Sequence, residues 1–190
     1  MKRTILILAV ILNATIAFSQ TEIAKRVFLF KDPSIENVKA NTILLYHVDA
    51  KLNKEYTEIL EKRGFKVIKY FDLFPPIKEY TIEEVTKKLE NVKYDIFMVI
   101  DLKSIDERSY STGSGSLVTP NIGVYSSVQN SYVREVVMSI KIGNSALEEP
   151  ILIVESTSIG RLTTSNLRRV SNRALEDGID ALINKKILRK

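Results

Sequence analysis

Residues 94–102 read Tyr-Asp-Ile-Phe-Met-Val-Ile-Asp-Leu, the most apolar stretch of the chain after its N-terminus. A run this short, rich in β-formers and bounded by polar residues, predicts a buried strand rather than a helix. What precedes it decides the fold. Thr81-x-x-Glu84 fits a capping box, in which each side chain bonds the other residue's backbone amide. Ile82, Val85, Leu89 and Val92 follow at spacings of three and four, so they share one helical face. Further upstream, residues 65–73 (FKVIKYFDL) predict a strand closed by Pro75-Pro76. Before that, Asn53 can cap a helix through about residue 63, with Tyr56, Ile59 and Leu60 facing inward and Gly64 ending it. Residues 42–48 (TILLYHV) predict another buried strand. The order strand–helix–strand–helix–strand is the pattern of a layered α/β arrangement.

Downstream the character changes. Residues 109–133 carry no charge, and 111–116 read Ser-Thr-Gly-Ser-Gly-Ser. This predicts a long uncharged loop over 109–131, of a length that compact domains keep mainly for function. From Tyr132 the chain alternates. Val136, Met138, Ile140 and Ile142 lie on one face, and Val137, Ser139 and Lys141 on the other, as in a strand with one wet face. A turn over 143–149 returns the chain antiparallel through 150–156 (PILIVES). A closing helix is expected from about residue 165 to 187, with Leu167, Val170, Ala174, Gly178, Ala181 and Leu182 on its stripe. Residues 27–30 (VFLF) form a candidate edge strand within an N-terminal segment, 20–40. The expected fold is α/β with an α+β tendency: a two- or three-layer mixed sheet over 41–190, ending in an antiparallel meander and a C-terminal helix.

The first 19 positions predict a cleavable export signal. Lys2 and Arg3 form a positive start, residues 4–12 (TILILAVIL) an uncharged apolar centre, and Ala17-Phe18-Ser19 a small-residue cut site before Gln20. Asn13, Ser19 and Gln20 interrupt too early for a membrane-spanning helix. The expected destination is the periplasm or the exterior, with no transmembrane span in the mature chain. The chain has no cysteine. Lipid anchoring through an N-terminal cysteine and disulfides are thereby excluded, so the core must hold the fold. The net charge of +5 falls by two to +3 once Lys2 and Arg3 leave. That balance, spread along the chain, points away from nucleic acid as a partner.

The motifs of common chemistries are missing. His47 is the only histidine, and inside an apolar strand it reads as a core or strand-end residue rather than a zinc ligand. There is no nucleophile elbow, phosphate loop or dinucleotide fingerprint, so no cofactor is expected. Three candidate sites remain. Asp49, Asp72 and Asp101 each stand near the C-terminal end of a predicted strand. Parallel strands would gather them on the edge where α/β folds place ligands, for a divalent metal or acid–base work. Aspartates that simply end strands and start turns are the plain alternative. Arg161, Thr163, Thr164, Ser165, Arg168 and Arg169 surround a predicted helix start and form a candidate anion site, with N-capping as the plain alternative. Tyr110, Tyr125 and Tyr132, interleaved with serines in the uncharged loop, form a candidate contact surface for a partner.

The order of elements, carried by residues 42–48, by Tyr94-Asp95-Ile96-Phe97-Met98-Val99, and by the paired stretches 132–142 and 150–156 before the last helix, resembles a recurrent envelope domain. It is similar to the N-terminal domain of TolB, to the curli secretion protein CsgG and to the LpoB-type activators of penicillin-binding proteins. The resemblance covers residues 40–187 and implies a domain that acts by binding other envelope proteins. It assigns no role to any single residue. CsgG-like and LpoB-like proteins are lipoproteins, and this chain departs from them in having no cysteine to modify. The function expected is therefore an exported, non-enzymatic domain that binds an envelope protein or glycan. A metal-dependent hydrolase or transferase, and a small-anion or glycan-binding module, are the alternatives. Oligomeric state is left open.

Overall fold

The parallel centre of the sheet forms where the apolar runs stand. In the computed structural model, which describes residues 19–32, 34–113, 128–145, 149–161 and 167–190, β4 (Thr42–Tyr46) lies between β5 (Lys66–Lys69) and β6 (Ile96–Gly113). It runs parallel to both. Parallel neighbours need crossovers, and α1 (Ala50–Lys62) and α3 (Ile82–Leu89) lie in them. β7 (Val128–Gly143) and β8 (Leu152–Arg161) add antiparallel to β6. β2 (Val27–Lys31) and β1 (Ser19–Ala24) complete seven strands in the order β1-β2-β8-β7-β6-β4-β5. The chain closes with α4 (Leu167–Asn184) and a short parallel pair, β3 (Val38–Lys39) with β9 (Leu188–Arg189). The mixed α/β architecture is the one the sequence predicts.

Both layer counts expected from the sequence occur, at different ends of the sheet. Alternate residues of the central strands (Ile43, Met98, Ile140, Val154) join Tyr56 and Leu60 of α1 and Leu175 and Ile179 of α4 in one core cluster. Full burial of such a side chain stabilises by roughly 1.5–3 kcal/mol. Among the described residues the opposite face is covered around β4, β5 and the start of β6, where Leu44, Phe74 and Leu89 form a second, smaller cluster with Phe97 packed against it. Gly178 sets how closely α4 seats. A Cβ there would stand 2.9 Å from Ile140 Cδ1 and 3.1 Å from Ser156 Oγ.

Several predicted boundaries move, each for a local reason. The strand expected over 65–73 stops at Lys69, and Tyr70–Leu73 forms a short helix, α2. Tyr70 there stacks on Phe74, one helical turn on, with ring centroids 4.6 Å apart. Asn53 does not cap α1. The helix starts at Ala50, and Asn53 is buried within it, donating from Nδ2 to the His47 carbonyl at 3.2 Å. The capping box at Thr81 forms as expected, with Glu84 N to Thr81 Oγ1 at 3.2 Å and Thr81 N to Glu84 Oε2 at 3.1 Å. Ile82 nonetheless points to solvent, at 72 % exposed. Residues 27–30 are not an edge strand, because β1 pairs outside β2 from Ser19↔Lys31 to Ala24↔Val27. The uncharged stretch is shorter as a loop than 109–131. β6 and β7 pair into both ends of it, to Gly113↔Val128.

Candidate functional site

The parallel strands do align their C-terminal ends on one edge, yet the three aspartates take separate places there. Asp49 precedes α1 and accepts from the Leu52 amide at 3.4 Å. Asp72 lies exposed in α2. Asp101 ends no strand, since β6 continues to Gly113, and its carboxylate accepts from Lys141 Nζ at 2.8 Å. Among the described residues no three His, Asp or Glu side chains stand close enough together to hold a metal ion.

The same edge holds a small depression of about 280 Å³ between the starts of α1 and α4, walled by Leu52, Tyr56, Leu102 and Leu167, with Asp49 and Arg168 beside them. Tyr56 is fully buried. Burial, and secondarily the negative Asp49, push its hydroxyl pKa up to about 12. Its ring rests on His47, centroids 4.9 Å apart. His47 is buried, as the sequence suggests, and ties the end of β4 to β6 through Nδ1 and the Ile100 carbonyl at 2.5 Å. A carbonyl only accepts, so Nδ1 carries the proton. Nε2 is buried without a partner. At the rim, Arg168 ion-pairs with Glu55, whose other oxygen accepts from Asn172 Nδ2 at 2.7 Å.

The candidate anion residues are only partly described. Thr163, Thr164 and Ser165 lie outside the described residues. Arg161 ends β8, and Arg168 and Arg169 stand in the first turn of α4. Arg161 and Arg169 line one depression of about 210 Å³ together with Arg173 and Gly160. Arg168 turns to Glu55 instead. Of the tyrosines, Tyr110 and Tyr132 stand on the paired ribbon, Tyr110 opposite Ser131 and Tyr132 opposite Ser109. Tyr125 lies outside the described residues.

Sequence reasoning misses residues 103–108. Their charges (Lys103, Asp106, Glu107, Arg108) read as the end of a strand, whereas they continue β6. The alternation of Ile100, Leu102, Ile105 and Glu107 with polar residues, interrupted once at Lys103, is the signal that could have found them.

No protein family matches the chain, and no curated protein matches it. Among solved structures it is similar to the PelC dodecamer from Paraburkholderia phytofirmans, at 12% identity and a TM-score of 0.42, over 83% of this chain and 98% of that one. It is also similar to the lipoprotein GNA1162 from Neisseria meningitidis, at 11% identity and a TM-score of 0.37, over 78% of this chain and 94% of that one. No helix among the described residues is long and apolar enough to cross a membrane.

Proposed function

We propose that this chain is an exported, non-enzymatic α/β domain that binds another envelope component, in first place a protein, through the end of its β6–β7 ribbon. One observation carries the reading. The last pair between β7 and β8 is Val133↔Arg161, yet β6 and β7 stay paired to Gly113↔Val128. A ribbon of two strands is marginal in water on its own. One that carries Tyr110 and Tyr132 among serine and threonine suits a contact surface, and these two, with Tyr125 of the stretch that joins the strands, are the proposed anchors. Export rests on the leader reading: removal of residues 1–19 leaves the β1–β2 ladder whole from Gln20↔Phe30 onward.

The test replaces residues 114–127 by a tight turn between Gly113 and Val128 and, in the same chain, Tyr110 and Tyr132 by serine. Cross-linking in the envelope is then compared with the intact chain. Loss of the captured partner, with an unchanged thermal midpoint, is expected. Undiminished capture refutes the ribbon as the binding element.

A second reading follows from the depression at Arg161, Arg169 and Arg173. Three guanidinium groups around Gly160 suit an anion or an acidic glycan. Arg169→Glu should abolish retention on a sulfated matrix at low salt, and unchanged retention removes this reading.

A further inference from the structure

The outer side of β6 is covered by β4 only from Ile96 to Val99. Beyond Val99, no described strand pairs on that side. Side chains 102–108 are all exposed there, and the apolar Leu102 and Ile105 are 38 % and 43 % exposed. A strand left open in this way presents a row of N–H and C=O groups to any other strand, and proteins commonly guard such edges with charges that point off them. Most charges of β6 turn the other way. Asp101 pairs with Lys141, Lys103 with Glu155 and Glu107 with Arg134, all on β7 or β8, inward of the edge. Arg108 pairs with Asp106 on its own strand at 3.0 Å and reaches Glu135 of β7 at 3.7 Å.

We propose that this edge takes a second copy of the same chain, β6 against β6, antiparallel about a twofold axis at Ile105. The proposal is independent of the ribbon-end reading above. It rests on self-complementarity along the edge. The ladder to β7 skips Lys103, between Leu102 and Ser104. Asp101, Ser104, Asp106 and Arg108 therefore share one face, together with Lys103, which reaches Glu155 there. Leu102, Ile105 and Glu107 share the other. With Ile105 opposite its own copy, the faces match along the strand. Lys103 and Ser104 together oppose the copy's Asp106, Leu102 opposes Glu107, and Asp101 opposes Arg108. Each charge on the shared face then meets the opposite sign, and the symmetry repeats the match. Moving the axis to Ser104 sets Asp106 against Asp101. Moving it to Asp106, Glu107 or Arg108 sets that charge against itself. Like charges directly opposite across strands are unfavourable, and opposite ones favourable. Past Val133↔Arg161 no third strand among the described residues holds the ribbon. Two-stranded ribbons twist strongly, which turns the ribbon's end away from β4 of the other copy.

The chain's lack of cysteine makes the test direct. Opposed residues of an antiparallel pair have Cα atoms about 4.5–5.5 Å apart, within reach of a disulfide. Ile105→Cys should give a covalent dimer under mild oxidation of the full chain. Lys66→Cys, exposed on the β5 edge, should stay monomeric. Ile105→Lys should weaken association about tenfold in sedimentation, with an unchanged circular dichroism spectrum. The proposal fails if the wild type is monomeric across the concentration range. It fails equally if Ile105→Cys links no faster than Lys66→Cys, or if Ile105→Lys leaves a dimer intact. A chain with residues 114–127 shortened should still dimerise, so loss of partner capture alone leaves this inference standing.

Discussion

Tyr56→Phe should change how the protein tolerates alkali. Tyr56 is fully buried and its hydroxyl is pushed up to about 12, by burial first and by Asp49 second. An unfolded tyrosine titrates near 10. The folded state therefore favours the neutral phenol. That contribution is intact below about pH 10 and is lost as the pH rises towards about 12. Two units at about 1.36 kcal/mol each amount to about 2.7 kcal/mol across the window. The chain has eight tyrosines, so the wild-type curve alone does not isolate this one. The measurement is urea unfolding of both proteins at intervals between about pH 8 and about pH 12, reading midpoint and slope. Phenylalanine keeps the ring against His47 and removes the ionisable group. The variant should lose about 2.7 kcal/mol less than the wild type over the interval, with equal slopes. Parallel loss in the two proteins would show that Tyr56 ionises in the folded state as readily as in the unfolded one, and the account of the depression beside it would fail.

Two further outcomes follow from the core and the strand start. Gly178→Ala gains about 1 kcal/mol of helix propensity, but its methyl meets Ile140 and Ser156, both fully buried. Overpacking costs about 1–3 kcal/mol, so net destabilisation is expected in urea, and Ile140→Val in the same chain should recover part of it; purely additive effects would contradict the contact. The Asp95 carboxylate accepts from the Thr42 and Asn41 amides at 2.8 and 2.7 Å, which hold its pKa below the usual carboxylate value. A lowered folded pKa means the stability is present above the unfolded value and lost as pH falls through the folded one. Asp95→Asn should accordingly flatten the acid limb of the stability curve, and an unaltered limb would refute this.

The parallel centre was legible because burial on both faces leaves a continuous apolar run, as in residues 42–46 and 96–100. The capping box was legible for a local reason: Thr81 and Glu84 satisfy each other within one turn. What escaped depends on distance. Nothing near Lys69 in the chain announces that Tyr46 and Phe74 await the ring of Tyr70, so strand was predicted where a helical turn forms. Asp101 looked like a strand end because Lys103, Asp106 and Glu107 follow it. Lys103 and Glu107 find their partners on β8 and β7, at least 27 positions away, and only that pairing makes a charged stretch a good strand. For the candidate sites, alignment of the strand ends was predictable from topology. The separation of Asp49, Asp72 and Asp101 was not, because it turns on where each strand stops.

The ion pairs over β6–β8 invite an explanation other than stability. Exposed pairs contribute about 0–1 kcal/mol each, and the Lys141 and Asp101 side chains are 41% and 35% exposed. What the pairs alter is direction. Those of Lys103 and Glu107 hold long side chains of β6 back across the sheet, where they no longer screen the open backbone. Glu155 gives the cleanest perturbation. It stands on β8, two strands from the edge, and among the described residues its ion pair is with Lys103. Glu155→Gln should leave the unfolding midpoint within about 1 kcal/mol of wild type. It should also free the Lys103 ammonium to stand off the edge, as a guard of the kind that discourages strand addition. Sedimentation should then show weaker self-association from a substitution made outside the proposed pairing that acts on it through Lys103. Equal association of Glu155→Gln and wild type would mean that the inward ion pairs do not open the edge.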